Sequence, residues 1–232
     1  YKGGKLVAEN GKMLHQKEKN TDWSTEIKER VFHSFHRGPI TVEELQLKET
    51  TGTHQRVIDM VAHELITKER IEEWKELPGV APGVDISRDI VKLAAIERHK
   101  NTGHVGLGFL GKYGLKKGAV ATSIGHDSHN LVIAGVTDED MVLAGNRVIE
   151  NGGGLAIALE GKVLADLPLP IGGLMADEPV EVVDEKLEHM KKLSVELGIS
   201  EDIDAFMTLA FISLPVIPKL RLNTYGVVDV EK

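Results

Sequence analysis

Alternation of apolar and polar positions divides this chain into short strands set in hairpins, with helices grouped between them. Lys5-Leu6-Val7-Ala8-Glu9 has period two, Asn10-Gly11 carries a type I′ turn signal, and Lys12-Met13-Leu14 returns as the partner strand. Such a hairpin is marginal by itself in water, so a chain that opens inside one is expected to be a piece of something longer. Residues 15–37 are polar and rich in charge, with Trp23, Phe32 and Phe35 scattered through them. They read as a linker holding a short helix near Ser24 to Arg30. Thr41-Val42-Glu43-Glu44 is a capping-box pattern and predicts a helix of about two turns. Arg56 to Val61 and Ile90 to Arg98 read as strands, the second buried on one side, with the turn-rich Val80-Ala81-Pro82-Gly83 between them.

Seven glycines, at 103, 106, 108, 111, 114, 118 and 125, then crowd the centre of the chain, a density suited to tight turns and close backbone approach. Gly118 to Ile124 and Leu131 to Val136 are apolar strands. Thr137-Asp138-Glu139-Asp140 caps a helix whose stripe is Met141, Val142, Val148 and Ile149 and whose end is Gly152-Gly153-Gly154. Leu155 to Leu159 and Lys162 to Leu167 pair around Glu160-Gly161. Pro179 opens a helix with the apolar face Val183, Leu187, Met190 and Leu197, and Gly198 is placed to close it. A last helix runs from Asp204 to Ile212, and Pro215 and Pro218 prevent its continuation. Strands in hairpins, with helices grouped rather than strictly alternating, predict an α+β fold: a mostly antiparallel or mixed sheet flanked by helices.

Composition narrows the partners. A hydrophobic content of 41%, a charged content of 28% and a formal net charge of −8 describe an ordinary globular chain without the basic face that nucleic acid requires. The cysteine count is 0, which removes disulfides, a thiolate nucleophile and a Cys-ligated zinc. No apolar run approaches the roughly 20 residues of a membrane span, and no signal-peptide pattern is present, so no membrane partner and a cytoplasmic location are expected.

The candidate chemistry concentrates between the two central strands. His126-Asp127-Ser128-His129-Asn130 places two imidazoles, a carboxylate, a hydroxyl and a carboxamide within a few residues of buried backbone. Such groups must be hydrogen-bonded, hydrated or functional, because unpaired burial costs about 1–3 kcal/mol each. Three readings stand: a polar turn that satisfies its own backbone, a substrate-binding or gating loop, or a metal site formed by His126 and His129 with Asp127, or with His99 and His104. His99 to His104, which includes Thr102, is a second polar concentration at a strand end. The Gly103-His104-Val105-Gly106-Leu107-Gly108 run lacks the Gly-Lys-Ser/Thr ending of a phosphate loop. No Gly-x-Ser-x-Gly elbow and no His-Glu-x-x-His helix occur, and Ser123 or Ser128 would need an unseen geometry to join a triad. His33 and His36 share helical spacing but have no carboxylate placed to complete a ligand set.

Several ordered motifs together resemble the C-terminal region of bacterial adenine deaminases over residues 53–230. They are Ile96-Glu97-Arg98-His99, Gly106-Leu107-Gly108-Phe109, Gly118-Ala119 through His126-Asp127-Ser128-His129-Asn130, Leu167-Pro168-Leu169-Pro170-Ile171, and Leu214-Pro215-Val216-Ile217-Pro218. The resemblance implies an amidohydrolase that converts adenine to hypoxanthine and ammonia with a divalent transition metal, Mn or Fe. It places the metal ligands on a (β/α)₈ barrel that begins with a His-x-His pair. No His-x-His occurs here, and 232 residues are too few for that barrel plus this region. The resemblance therefore implies no metal in this chain, no activity of the chain alone, and a homo-oligomeric parent enzyme. It divides the chain into 1–52, a remnant of the small β domain plus linker, and 53–232, the C-terminal domain. Its implied site residues are His126 and Asp127 in supporting catalytic roles, with Ser128, His129, Asn130, His99 and Thr102 binding substrate. Two other readings are kept: a non-catalytic assembly domain and a self-contained metal-binding module.

Overall fold

The strand Ile90–Ile96 is buried at all seven positions, and its side chains feed two separate cores. A computed structural model describes residues 1–14, 23–47 and 52–232, so the first part of the expected linker lies outside the described residues. The exposed hairpin β1 (Ala8–Glu9) and β2 (Lys12–Met13) turns at Asn10 and Gly11, both at positive φ as a type I′ turn requires. Helix α1 (Thr25–Phe32) starts at Ser24, whose hydroxyl accepts the Ile27 N–H.

Eight strands build the main sheet: β3 (His54–Met60), β4 (Thr67–Glu73), β5 (Ile90–Ile96), β6 (Val105–Gly111), β7 (Ala119–Thr122), β8 (Leu131–Gly135), β9 (Gly154–Leu159) and β10 (Lys162–Pro168). Their order is β10-β9-β7-β8-β5-β6-β3-β4, antiparallel throughout except for β3 beside β6. The sheet is thus mixed, and with its helices the fold is α+β as expected. Helix α2 (Asp138–Glu150) covers one face. Helices α3 (Val180–Glu196) and α4 (Ala205–Ile212), with the hairpin β11 (Leu220–Asn223) and β12 (Gly226–Asp229), cover the other.

Period-two alternation assigns the faces. Val91, Leu93, Val120, Val132, Leu155 and Ile157 point toward α3 and α4, while Ala94, Ala119, Ala121, Ile133, Ala156 and Ala158 point toward α2. The alanines let α2 lie close to the sheet. At Gly145 a methyl group would meet the Ile133 and Ile40 side chains at 2.6 and 2.7 Å. Both faces of the centre are therefore filled, which corrects the one-sided burial expected for Ile90 to Arg98.

A further expectation needs correction. Thr41 to Glu44 starts only a single 3₁₀ turn, Glu43–Leu45, rather than two helical turns. Its Glu44 carboxylate does accept the Thr41 N–H at 3.0 Å. Leu45 is fully buried, and Asn146 of α2 holds Ile40 through both its N–H and its C=O, so tertiary contacts halt the helix. The glycines of β6 serve the close backbone approach expected of them, while the turns fall to others such as Gly103, Gly114 and Gly118 at positive φ. A Cβ at Gly106 would collide with the Asn223 carbonyl, and one at Gly108 would press on Val227 and Leu222 at 3.0 and 3.1 Å. No described helix is long and apolar enough to cross a membrane.

Candidate functional site

Antiparallel pairing sets Ile96 opposite Leu131 and Thr122 opposite Val132, so the segment after β5 and the loop between β7 and β8 emerge at the same end of the sheet. The loop 123–130 enters through two side chains that are fully internal. The Thr122 hydroxyl accepts the Ile124 N–H at 3.0 Å, and the Ser123 hydroxyl donates to the Gly173 carbonyl at 2.6 Å while accepting the Gly154 N–H at 2.7 Å. Ser123, at 0% exposure, is a structural bridge.

The centre of the loop rises from this base. The His126 N–H donates to the Ala210 carbonyl of α4 at 2.8 Å, and its ring stacks on Phe211 with centroids 5.1 Å apart. His126 Nδ1 and Asp127 Oδ1 are 2.8 Å apart, with the two side chains 47% and 81% exposed. With the proton on Nδ1, Asp127 orients the imidazole and leaves Nε2 available. His129 turns back with positive φ and donates its N–H to the Gly125 carbonyl. Its Nδ1 and the Oδ1 of Asn130 are buried without a hydrogen-bond partner among the described residues. Burial, reinforced by the neighbouring charges of Arg98, His126 and His99, pushes the His129 imidazole below its ordinary value, with Asp127 opposing. Ser128 offers its carbonyl to His99 Nε2 at 2.7 Å.

Arg98 holds the loop from beneath. It is 1% exposed. Its Nε donates to the His129 carbonyl, its Nη2 to the Gly172 carbonyl at 3.1 Å and its Nη1 to the Ser34 carbonyl at 3.4 Å. The guanidinium lies 4.8 Å from the centre of the Phe35 ring. Burial draws it down to about 10, so it remains cationic at neutral pH. Glu97 shapes the adjoining segment, accepting N–H groups from His99, Lys100 and Thr102 at 2.6, 2.8 and 2.9 Å and the Thr102 hydroxyl at 3.1 Å.

The structure thus brings together His99, His126, Asp127, Ser128, His129 and Asn130. Thr102 is spent on Glu97, and the His104 ring packs at a tilt against Tyr225, with ring centroids 4.6 Å apart. Among the described residues no group of three or more His, Cys, Asp or Glu is placed to hold a metal ion, so the metal-module reading has no ligand set there. Arg98, Glu97 and Phe211 are the contributors that pattern reading passes over. An adjacent Glu-Arg pair closing a buried strand was the available signal for the first two. Phe211 gave none, because every other residue of its helix except Thr208 is apolar.

Sheet, helices and loop define the class: an α+β domain that displays an anchored polar loop at one sheet end. Residues 64–232 match the family described as "Adenine deaminase C-terminal domain", and the chain belongs to that family. It is 44% identical to adenine deaminase 2 of Carboxydothermus hydrogenoformans over 231 residues, covering 100% of this chain and 39% of that protein. Adenine deaminase of Kosmotoga olearia is 44% identical over 230 residues, 99% of this chain and 38% of that one. Adenine deaminase of Lysinibacillus sphaericus is 39% identical over 231 residues, 99% and 39% respectively. The chain spans about two-fifths of the length of these relatives.

Proposed function

We propose that this chain is the part of an adenine-hydrolysing deaminase that encloses the substrate, with the loop His126 to Asn130 facing a purine bound by the remainder of the enzyme. The reaction adds water at the purine carbon bearing the amine and releases ammonia, so a proton must reach the departing nitrogen. His126 suits that work: Asp127 at 2.8 Å fixes its ring, Phe211 supports it from below, and it stays half exposed. This anchored and outward-facing pair is the observation that carries the reading. Nε2 of His126 hydrogen-bonds a ring nitrogen or passes the proton. His99, Ser128, His129 and Asn130 shape the rim, with Thr102 beside them, and closing the site excludes bulk water apart from the molecule that reacts. The divalent metal, Mn or Fe, is in this reading held by the barrel that the resemblance implies, and the chain alone does not turn over adenine.

The test joins this chain to the unmatched portion of the Carboxydothermus relative and assays the resulting polypeptide with adenine. His126→Ala is expected to lower kcat about 100-fold or more, the range of a positioned acid or base. Asp127→Asn is expected to lower it less, while the melting temperature stays unchanged for both. Unaltered kcat and KM in His126→Ala would remove the loop from the reaction and leave a purely architectural domain.

A further inference from the structure

On the face covered by α4, a cleft opens between that helix and the turn joining β3 to β4. Its volume is about 170 Å³, and Met60, Leu65, Ile66, Met207 and Phe211 supply apolar walls. An apolar cavity of roughly 150 Å³ accommodates benzene, so a six-carbon body fits. Leu65 and Met207 are 51% and 48% exposed, an open rim of uncovered apolar surface. Arg221 of β11 also lines the cleft and is 1% exposed. Its Nη2 donates to the Leu65 and Pro218 carbonyls, but its Nε has no hydrogen-bond partner. No carboxylate pairs with it among the described residues. Arg98, by comparison, spends all three of its nitrogens. An unneutralised buried cation beside an apolar hollow is complementary to an anion carrying an apolar body.

We propose that this cleft is a binding site for a small monocarboxylate with a planar or short-chain apolar body, its carboxylate directed to Arg221 and its body between Met207 and Met60. The ion pair forms in a setting shielded from water, where a charge-assisted hydrogen bond counts for more than at the surface. Glu64 sits exposed on the rim and limits affinity by repulsion. Phe211 forms a wall of the cleft and also carries the stacked ring of His126, so occupancy is felt at the loop 126–130. The site stands on the cleft's own residues and is independent of the adenine reading.

The experiment uses the 232-residue chain with carbon-13 labelled methionine methyls. Benzoate is the probe, benzyl alcohol the uncharged comparison and acetate the one without a body. Benzoate is expected to shift the Met60 and Met207 methyls saturably while the buried Met141 and Met190 stay fixed. Benzyl alcohol is expected to bind at least ten-fold more weakly, and acetate to give no saturation. Arg221→Lys should weaken benzoate about ten-fold, and Glu64→Gln should tighten it several-fold. Should Arg221→Lys fail to fold, Met207→Trp fills the cleft from its exposed rim, leaves the buried bonds intact and should abolish the shifts. Three results overturn the proposal: no saturable shift up to about 10 mM benzoate, equal response to benzoate and benzyl alcohol, or shifts at Met60 and Met207 that track protein concentration instead of ligand. The last would mark the surface as a contact between copies.

Discussion

Glu97 is the residue on which the segment beside the loop depends. Burial raises its carboxyl, but the N–H groups of Thr102, Lys100 and His99 and the Thr102 hydroxyl outweigh it and hold the group at about 2 instead of 4.5. A carboxylate depressed on folding contributes stability above its unfolded value, and that contribution is lost as pH falls from 4.5 through about 2. Glu97→Gln is therefore expected to lower unfolding free energy at neutral pH by about 1–2 kcal/mol. The gap to the unaltered protein should narrow steadily between pH 4.5 and 2 in urea titrations. A gap that stays constant across that range would mean that shape, not charge, does the work. His129 runs the other way: its depressed imidazole disfavours protonation in the fold, so acidification below its ordinary value of 6.5 weakens the loop's seat.

Among the elements, the connection 170–175 shows how a turn can be fixed by what lies under it. Gly173 has φ +73, and a methyl group there would meet the Arg98 guanidinium at 2.7 to 2.9 Å. Its neighbour Gly172 has φ +67 with open space around it. Gly173→Ala is expected to cost more than Gly172→Ala by about 1–3 kcal/mol, because only the first adds overpacking to backbone strain. It should also move the His129 ring resonances by displacing Arg98. Equal melting temperatures for the two variants would show that Arg98 has room to yield. Elements whose burial follows local patterning were legible: β7, β8, β9, β10, α2, α3 and α4 lie within a few residues of their expected places. β4 was not, since Thr-Lys-Glu-Arg-Ile-Glu-Glu carries charge where a strand is usually apolar. Its exposed edge tolerates that through cross-strand pairs such as Arg56–Glu69 at 2.6 Å and Arg70–Asp59 at 2.9 Å. β6 was hidden by its glycines: Gly106 and Gly108 make room for the β11–β12 hairpin more than one hundred residues away, and Gly111 for Asp59, Arg70 and Val57.

At the scale of the whole molecule, one buried ion pair joins the central strand to the helix layer. Lys92 Nζ and Asp138 Oδ1 are 2.7 Å apart, with side chains 1% and 8% exposed. Lys92→Met alone strands a buried carboxylate and should cost about 3–5 kcal/mol, as should Asp138→Leu alone. The double variant should lie closer to the unaltered protein than either single one, because desolvation of both charges is relieved together. Additive losses in denaturant titrations would show instead that the two groups act independently. The candidate site was partly legible at this scale. The residues from 126 to 130 stood out as polar groups between buried strands, but their support by Arg98, Gly172 and Phe211 depends on contacts between distant segments that no local pattern records.

The grip of Arg98 has a consequence for the conditions under which the loop keeps its shape. Its hydrogen bonds run to peptide carbonyls and the Ser34 hydroxyl, and its flat face rests near an aromatic ring. None of these partners can take up a proton in mildly acidic solution or be displaced by a dissolved counter-ion. Brine that loosens the edge-strand ion pairs should leave this clasp closed, and at neutral pH the loop it secures should keep its form at salt concentrations where the edge pairs have come apart.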